Sequence, residues 1–403
     1  MAEGQTSVFQ VLSNTPGFSS NCLTYSLYTS QMCSIVSCPV SGLLRGAILV
    51  LAVTTAGCRK PDPAPISDIG AAIDSTRRHF RVPGASVAVV HNGAIVLAQG
   101  FGHRNVDDSL PVTPQTLFAI GSCTKPFTAM AAVLSADAGR LSLDDHPRRW
   151  LPWFRPADTQ VDSAATLRDL LSHRTGVPDD VPAGWYERNG TTQRVIEEAM
   201  RSRRRGAFRR SLNYNNYFFS AAGEAAAAAN GMPFDSMLHR LIFQPLGMRS
   251  TSLSLEAMEA SADFALGYHE GEPVRPTRLI YNTAMAPAAN INSNAEDMAR
   301  WLLALTGGDF MSERARAMMT EQQVSTSGGG GYALGWFVEQ WHGMRLMSHP
   351  GGVRGYGTRC EFLPGSGLGW AVLTNVDDQQ FPRAVREIIY AALIRPTAGA
   401  TSR

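Results

Sequence analysis

Ser122 and Lys125 stand three residues apart in the stretch Gly121-Ser122-Cys123-Thr124-Lys125-Pro126-Phe127. On a helix, residues i and i+3 share a face, so this spacing brings a hydroxyl and an amine within hydrogen-bonding reach. A lysine amine loses its proton when it is desolvated or set near another cation, and can then accept the proton of a serine; a guanidinium cannot. Residue usage adds weight, because only Lys60 and Lys125 among the 36 basic residues are lysines. A chance pairing is the competing reading, since serine is common and two lysines give two opportunities. Cys123 offers a thiol nucleophile in the same stretch, but it has no lysine at that spacing.

A Ser-x-x-Lys pair also needs a group that manages the proton of the leaving group, and donors for the oxyanion. Tyr214-Asn215-Asn216 supplies a phenol that can share a proton with a lysine, and an amide that can bind a substrate carbonyl. The alternative for Tyr214 is packing on an apolar helix, the role expected of Tyr217, Phe218 and Phe219. Further on, Ser348-His349-Pro350-Gly351-Gly352 is expected to precede a strand, and its glycines let backbone N–H groups come close to a substrate.

In this order, Ser-x-x-Lys, Tyr-x-Asn and His-x-Gly resemble the serine β-lactamase and penicillin-binding protein superfamily. The resemblance is to its class C branch, with the related family VIII carboxylesterases and D-amino-acid peptidases. It covers about residues 65 to 395 and includes Leu170-Leu171-Ser172-His173-Arg174-Thr175-Gly176-Val177-Pro178, Pro245-Leu246-Gly247-Met248, Ala295-Glu296-Asp297-Met298-Ala299 and Gly331-Tyr332-Ala333-Leu334-Gly335-Trp336. It implies Ser122 as nucleophile, Lys125 as its activating partner and Tyr214 as the base that later protonates the leaving group. It also implies Asn216, His349 and Gly351 as substrate-binding residues, and an oxyanion hole on the backbone N–H groups of Ser122 and Gly352.

His349 takes a place often held by lysine in that superfamily. A lysine there offers a permanent charge to a substrate carboxylate, whereas a histidine near neutral pH is mostly uncharged. The expected activity is therefore ester or amide hydrolysis through a Ser122 acyl-enzyme, on a small-molecule ester, amide or peptide. A β-lactamase or penicillin-binding DD-peptidase is the alternative, with Arg354 as a possible source of the missing charge, and a catalytically silent binding protein on the same fold is another. Arg205-Gly206 replaces the Pro-Gly often found before the tyrosine motif, and the spacing there is longer, so Tyr217 is the second candidate for the tyrosine.

The elements that must position these residues follow from periodicity. A helix is expected over 68–81, then strands Ala85–Val90 and Ala94–Ala98 joined by an Asn92-Gly93 hairpin turn. Phe127–Leu134 reads as a helix buried nearly all round, with Pro126 tolerated in its first turn. Helical patterns over Thr166–Leu171, Glu224–Ala229 and Ala295–Leu305 dominate the middle, and Asn230-Gly231 stops the second of them. Strands are expected over Tyr332–Val338, Arg359–Leu363 and Trp370–Leu373, then a helix over Pro382–Leu393. The expected architecture is α+β, an α/β sandwich. An antiparallel sheet flanked by helices is built from residues 68–150 and 325–395, a mostly helical domain (151–324) is inserted, and the substrate cleft lies between them. Loops over roughly 176–210 and 260–290 would set specificity.

Composition narrows the partners. With 36 basic and 34 acidic residues the formal net charge is +2, so no global field argues for nucleic acid. Six arginines between Arg201 and Arg210 read as a solvated loop or helix end. The nine histidines are scattered, with no His-Glu-x-x-His spacing, and neither metal nor other cofactor is expected.

Residues 1–58 differ from the rest, with Glu3 and Arg45 their only charged residues and four of the six cysteines. Leu43 to Cys58 resembles a bacterial lipoprotein signal, in which Cys58 would be lipidated and become the first mature residue, with 59–67 as tether. Gly46–Gly57 is too short to span a bilayer. The expectation is a lipoprotein of the bacterial envelope, exposed to the periplasm and held to the membrane at Cys58. Residues 1–40 precede the signal, and a translation start placed too early would account for them, along with Cys22, Cys33 and Cys38. Cys123 and Cys360 suggest no disulfide framework. Residues 396–403 read as a tail.

Overall fold

Asn92 and Gly93, both at positive φ (51° and 77°), close a two-residue turn whose twist suits a hairpin. It joins β1 (Gly84–His91) to β2 (Ala94–Asn105). The computed structural model describes residues 66–180, 191–269, 275–277, 279, 281–326 and 328–395. The expected lipidation site Cys58, the cysteines Cys22, Cys33 and Cys38, the tether up to residue 65 and the tail 396–403 lie outside the described residues.

In chain order the remaining strands are β3 (Leu110–Pro111), β4 (Phe118–Ala119), β5 (Gly267–His269), β6 (Arg275–Thr277), β7 (Asn292–Ser293), β8 (Val324–Ser325), β9 (Gly331–Tyr332), β10 (Phe337–Trp341), β11 (Met344–Val353), β12 (Tyr356–Leu363) and β13 (Leu368–Thr374). Nine of them form one sheet in the order β3-β2-β1-β13-β12-β11-β10-β9-β8, every neighbouring pair antiparallel. Strands from the two chain ends meet where β1 pairs with β13, Val89 opposite Trp370.

Helices cover both faces of the sheet, so β12 and β13 are buried at every position. Such strands need apolar residues throughout rather than an alternating pattern. On one face Val87, Val89, Trp370 and Val372 pack with Ile69 and Ile73 of α1 (Ile66–His79) and with Phe381, Val385 and Ile389 of the C-terminal helix Gln380–Leu393. On the other, Ala88, Ala371, Leu373 and Phe362 belong to a larger core. That core includes α2 (Lys125–Asp137), α3 (Asn216–Ala229) and α4 (Ala295–Thr306). Phe127 of α2 stacks on Trp301 of α4 with ring centroids 4.0 Å apart. The architecture is thus the expected mixed one, a large antiparallel sheet flanked by helices.

Three expectations need adjustment. Tyr332–Val338 is two strands, not one, because the chain turns at Gly335 (φ +75°), where an added Cβ would lie 2.9 Å from the carbonyl oxygen of Lys125. The break lets the sheet touch the start of α2. The His349 motif does not precede a strand but lies within β11, which begins at Met344 after the turn at His342 and Gly343 (φ 48° and 76°). The arginine-rich segment is an exposed loop, yet tied down by ion pairs: Arg204 to Asp158, Arg205 to Asp180, and Arg209 to the fully buried Asp169, which Arg174 also holds. Asp169 completes a capping box with Thr166 at the start of Leu167–Leu171, so its carboxylate joins that helix to the loop leading into Tyr214.

Candidate active site

Ser122 lies in a 3₁₀ turn, Gly121–Thr124, that runs directly into α2. With three residues per turn, positions i and i+3 of a 3₁₀ segment eclipse, so Ser122 and Lys125 face the same way. Gly121 (φ +52°) starts the turn hard against β11: an added Cβ would sit 2.9 Å from the backbone nitrogen of Gly352. Gly351 is tighter still, for its Cβ would fall 2.1 Å from the carbonyl oxygen of Ile120. β10 reaches only to Ser348, so His349–Val353 pairs with β12 on one edge and leaves the other to the turn carrying Ser122. The glycines therefore set the backbones of Ser122 and Gly352 side by side, the placement an oxyanion hole requires.

Lys125 is fully buried, and Ser122 is only 4% exposed. The amine donates to the Asn216 side-chain oxygen (2.7 Å) and the Ala288 carbonyl (3.0 Å), and lies 3.3 Å from Ser122 Oγ. Burial draws its pKa from 10.5 down to about 7, against the pull of Asp179 and Cys123 in the other direction. A neutral amine has two N–H bonds and one lone pair. Ala288 O can only accept, and so can Asn216 Oδ1, because the Asn216 amide nitrogen donates to the Asp179 carboxylate at 2.6 Å. Both N–H bonds are therefore committed, and the lone pair is left for the proton of Ser122.

Tyr214 closes the other side of the pair. Its ring centroid is 4.7 Å from the lysine nitrogen. Burial pushes its phenol well above the ordinary value, partly offset by a hydrogen bond with Ser122, so the tyrosine keeps its proton in the free enzyme. Its ring rests against His173 (4.2 Å between centroids) and stacks parallel to Phe337 (6.4 Å). Tyr217, the second candidate, is buried in the apolar core on α3. Asn216 is the first residue of α3, and Asn215 caps it by accepting from the N–H of Phe218. This capped start holds Asn216 at Lys125.

His349 is fully buried. Its Nδ1 donates to the Pro350 carbonyl (2.7 Å) and its Nε2 accepts from the Tyr332 hydroxyl (3.0 Å). Burial, then the charge of Lys125, holds its pKa well below the usual imidazole value, so the ring is neutral. Both ring nitrogens are occupied within the protein, and the carbonyl of His349 accepts from the Cys123 thiol at 3.2 Å. Arg354 is exposed in the turn between β11 and β12. Burial pushes the Cys123 thiol up to about 12, which leaves it inert beside an activated serine.

Three participants carried no chemical expectation. Asp179 and the Ala288 carbonyl have no spacing signal. His173 stood within a stretch quoted for resemblance alone; it adopts φ +55°, accepts from the Asn215 N–H at Nδ1 (3.1 Å), and supports the face of Tyr214.

Residues 71–393 match the family model described as Beta-lactamase. The chain belongs to the beta-lactamase family. An unguisins hydrolase of Aspergillus campestris is 30% identical over 336 residues, which is 77% of this chain and 61% of that protein. Protein flp of Staphylococcus aureus is 24% identical over 76% of this chain and 62% of its own length. The chain thus spans about three fifths of the length of these relatives. Among solved structures, an octameric penicillin-binding protein homologue from Pyrococcus abyssi aligns with a TM-score of 0.73 and 25% identity, over 83% of this chain and 78% of its own. A class C beta lactamase from Rhodobacter sphaeroides aligns at 0.69 and 25%, over 81% and 99%.

Proposed function

We propose that this chain is a serine hydrolase that cleaves ester or amide bonds of small molecules or peptides through an acyl-enzyme on Ser122, in the manner of a carboxylesterase or a D-amino-acid peptidase. The observation that carries the reading is the commitment of both lysine N–H bonds to obligate acceptors, which directs the lone pair of Lys125 at Ser122. Lys125 takes the hydroxyl proton as Oγ bonds to the carbonyl carbon, and the Ser122 and Gly352 N–H groups receive the oxyanion. Tyr214 gives its proton to the departing oxygen or nitrogen and recovers one from the lysine ammonium. A water then releases the acyl group by the same steps in reverse.

The preference for simple esters and amides over β-lactams rests on His349, a buried neutral ring where a cation would be needed to hold a substrate carboxylate. The similarity to the unguisins hydrolase of Aspergillus campestris supports a hydrolytic role. A turnover panel of p-nitrophenyl esters, D-amino-acid amides and nitrocefin tests the choice. Turnover of esters or amides with little nitrocefin hydrolysis is expected; turnover of nitrocefin alone overturns it. A membrane anchor at Cys58 on the periplasmic side of a bacterial envelope is part of the same proposal, and palmitate labelling lost in Cys58→Ser is its check.

A further inference from the structure

Asp179 lies outside all three motifs, yet it makes the contact on which the lysine's orientation depends. The Asn216 side-chain nitrogen donates to its Oδ2 at 2.6 Å and the Asn216 backbone N–H at 3.3 Å. Its other oxygen, Oδ1, is buried without a hydrogen-bond partner. The carboxylate is thus committed to Asn216 on one side and has no hydrogen bond on the other; burial pushes its pKa up from the ordinary carboxylate value, against the two Asn216 donors and the charge of Lys125, which favour the ionised form. Its neighbour Asp180 is paired with Arg205.

We infer that Asp179 is a positioning residue for the base: it fixes the Asn216 amide so that oxygen rather than nitrogen faces Lys125, and its charge favours the ammonium that forms when Ser122 gives up its proton. The inference rests on Lys125 as the base. An amide is symmetric enough in shape to sit either way round, and only its hydrogen-bond partners decide. Turned over, Asn216 would present N–H to Lys125, whose lone pair would then be drawn to the amide and away from Ser122. An ionised carboxylate accepts and never donates, so it holds one orientation.

Two substitutions separate orientation from charge. Asp179→Asn keeps an oxygen to accept from Asn216 but removes the charge; Asp179→Ala removes both. The readout is the pH profile of kcat/KM for a p-nitrophenyl ester with the full chain. The other groups around the lysine leave the window near neutrality clear: His173 and His349 are held neutral, Tyr214 and the Cys123 thiol keep their protons, and Asp180 is paired. The acid limb therefore reports Lys125.

Because Asp179 raises the lysine's affinity for a proton, Asp179→Asn moves the acid limb to lower pH and keeps a plateau within a few-fold of wild type. Asp179→Ala lowers the plateau by roughly 100-fold, the scale of a misplaced catalytic group. An unmoved limb in Asp179→Asn, or a wild-type plateau in Asp179→Ala, overturns the inference. Should Asp179→Ala not fold, the limb of Asp179→Asn decides alone. Full activity in Ser122→Ala marks the different case in which the acyl-enzyme reading itself has failed.

Discussion

Lys125→Met should remove a pH dependence of stability that the wild-type protein carries through its buried amine. A lysine whose folded pKa is about 7 against 10.5 in the free side chain binds fewer protons folded than unfolded anywhere between these values. Where the unfolded chain binds more protons, stability rises with pH. The destabilisation is therefore greatest below about pH 7 and fades toward pH 10.5. Taking both values, the penalty is on the order of 4 kcal/mol at pH 7.5 and 1 kcal/mol at pH 9.5, so wild type should gain roughly 2–3 kcal/mol over that window. The assay is guanidinium unfolding of both proteins at both pH values, read as the difference between them. Other titrating groups cancel in that difference. So does the fixed cost of leaving Ala288 O and Asn216 Oδ1 without their donor, on the order of 1–3 kcal/mol for each buried group. Parallel pH trends in the two proteins would refute the claim that Lys125 is held neutral by burial.

Further outcomes follow from the same geometry. Gly351→Ala should lower kcat by about 100-fold or more, because a Cβ 2.1 Å from the Ile120 carbonyl must push β11 away from the Ser122 turn; p-nitrophenyl ester kinetics check it. Cys123 should resist iodoacetamide at pH 8 in the native protein, its thiol being buried and pushed up to about 12, and mass spectrometry of the alkylated chain reads this directly. Asp169→Ala should cost about 3 kcal/mol in denaturant unfolding, since it removes the buried carboxylate that Arg174 and Arg209 share and loosens the loop before Tyr214.

The parts of the fold that were legible in the sequence are those set by local chemistry. Asn92-Gly93 demanded a hairpin, and Pro126 with the apolar run after it demanded a buried helix. Ser122 and Lys125 were legible because three-residue spacing survives in either a 3₁₀ or an α-helical turn. Gly335 was misread as part of a strand, because what interrupts the strand is a close approach to Lys125 from a distant part of the chain. Asp179 and the Ala288 carbonyl were invisible for a related reason. Asp179 reaches Asn216 from a loop and the Ala288 carbonyl reaches the lysine from the short helix Ala286–Ala289, so no spacing along the chain records their roles. The arginine-rich loop misled in another way: its charges suggested solvation, while the partner that pins Arg209, Asp169, lies 40 residues earlier.

The central claim is that Ser122 forms the acyl-enzyme with Lys125 as its base. Intact-mass analysis after treatment with a fluorophosphonate measures this most directly. A single adduct is predicted, mapped to Ser122, absent in Ser122→Ala and strongly slowed in Lys125→Arg, where the charge remains but the base is lost. An adduct that persists in Ser122→Ala, or a Lys125→Arg protein labelled as fast as wild type, would contradict it.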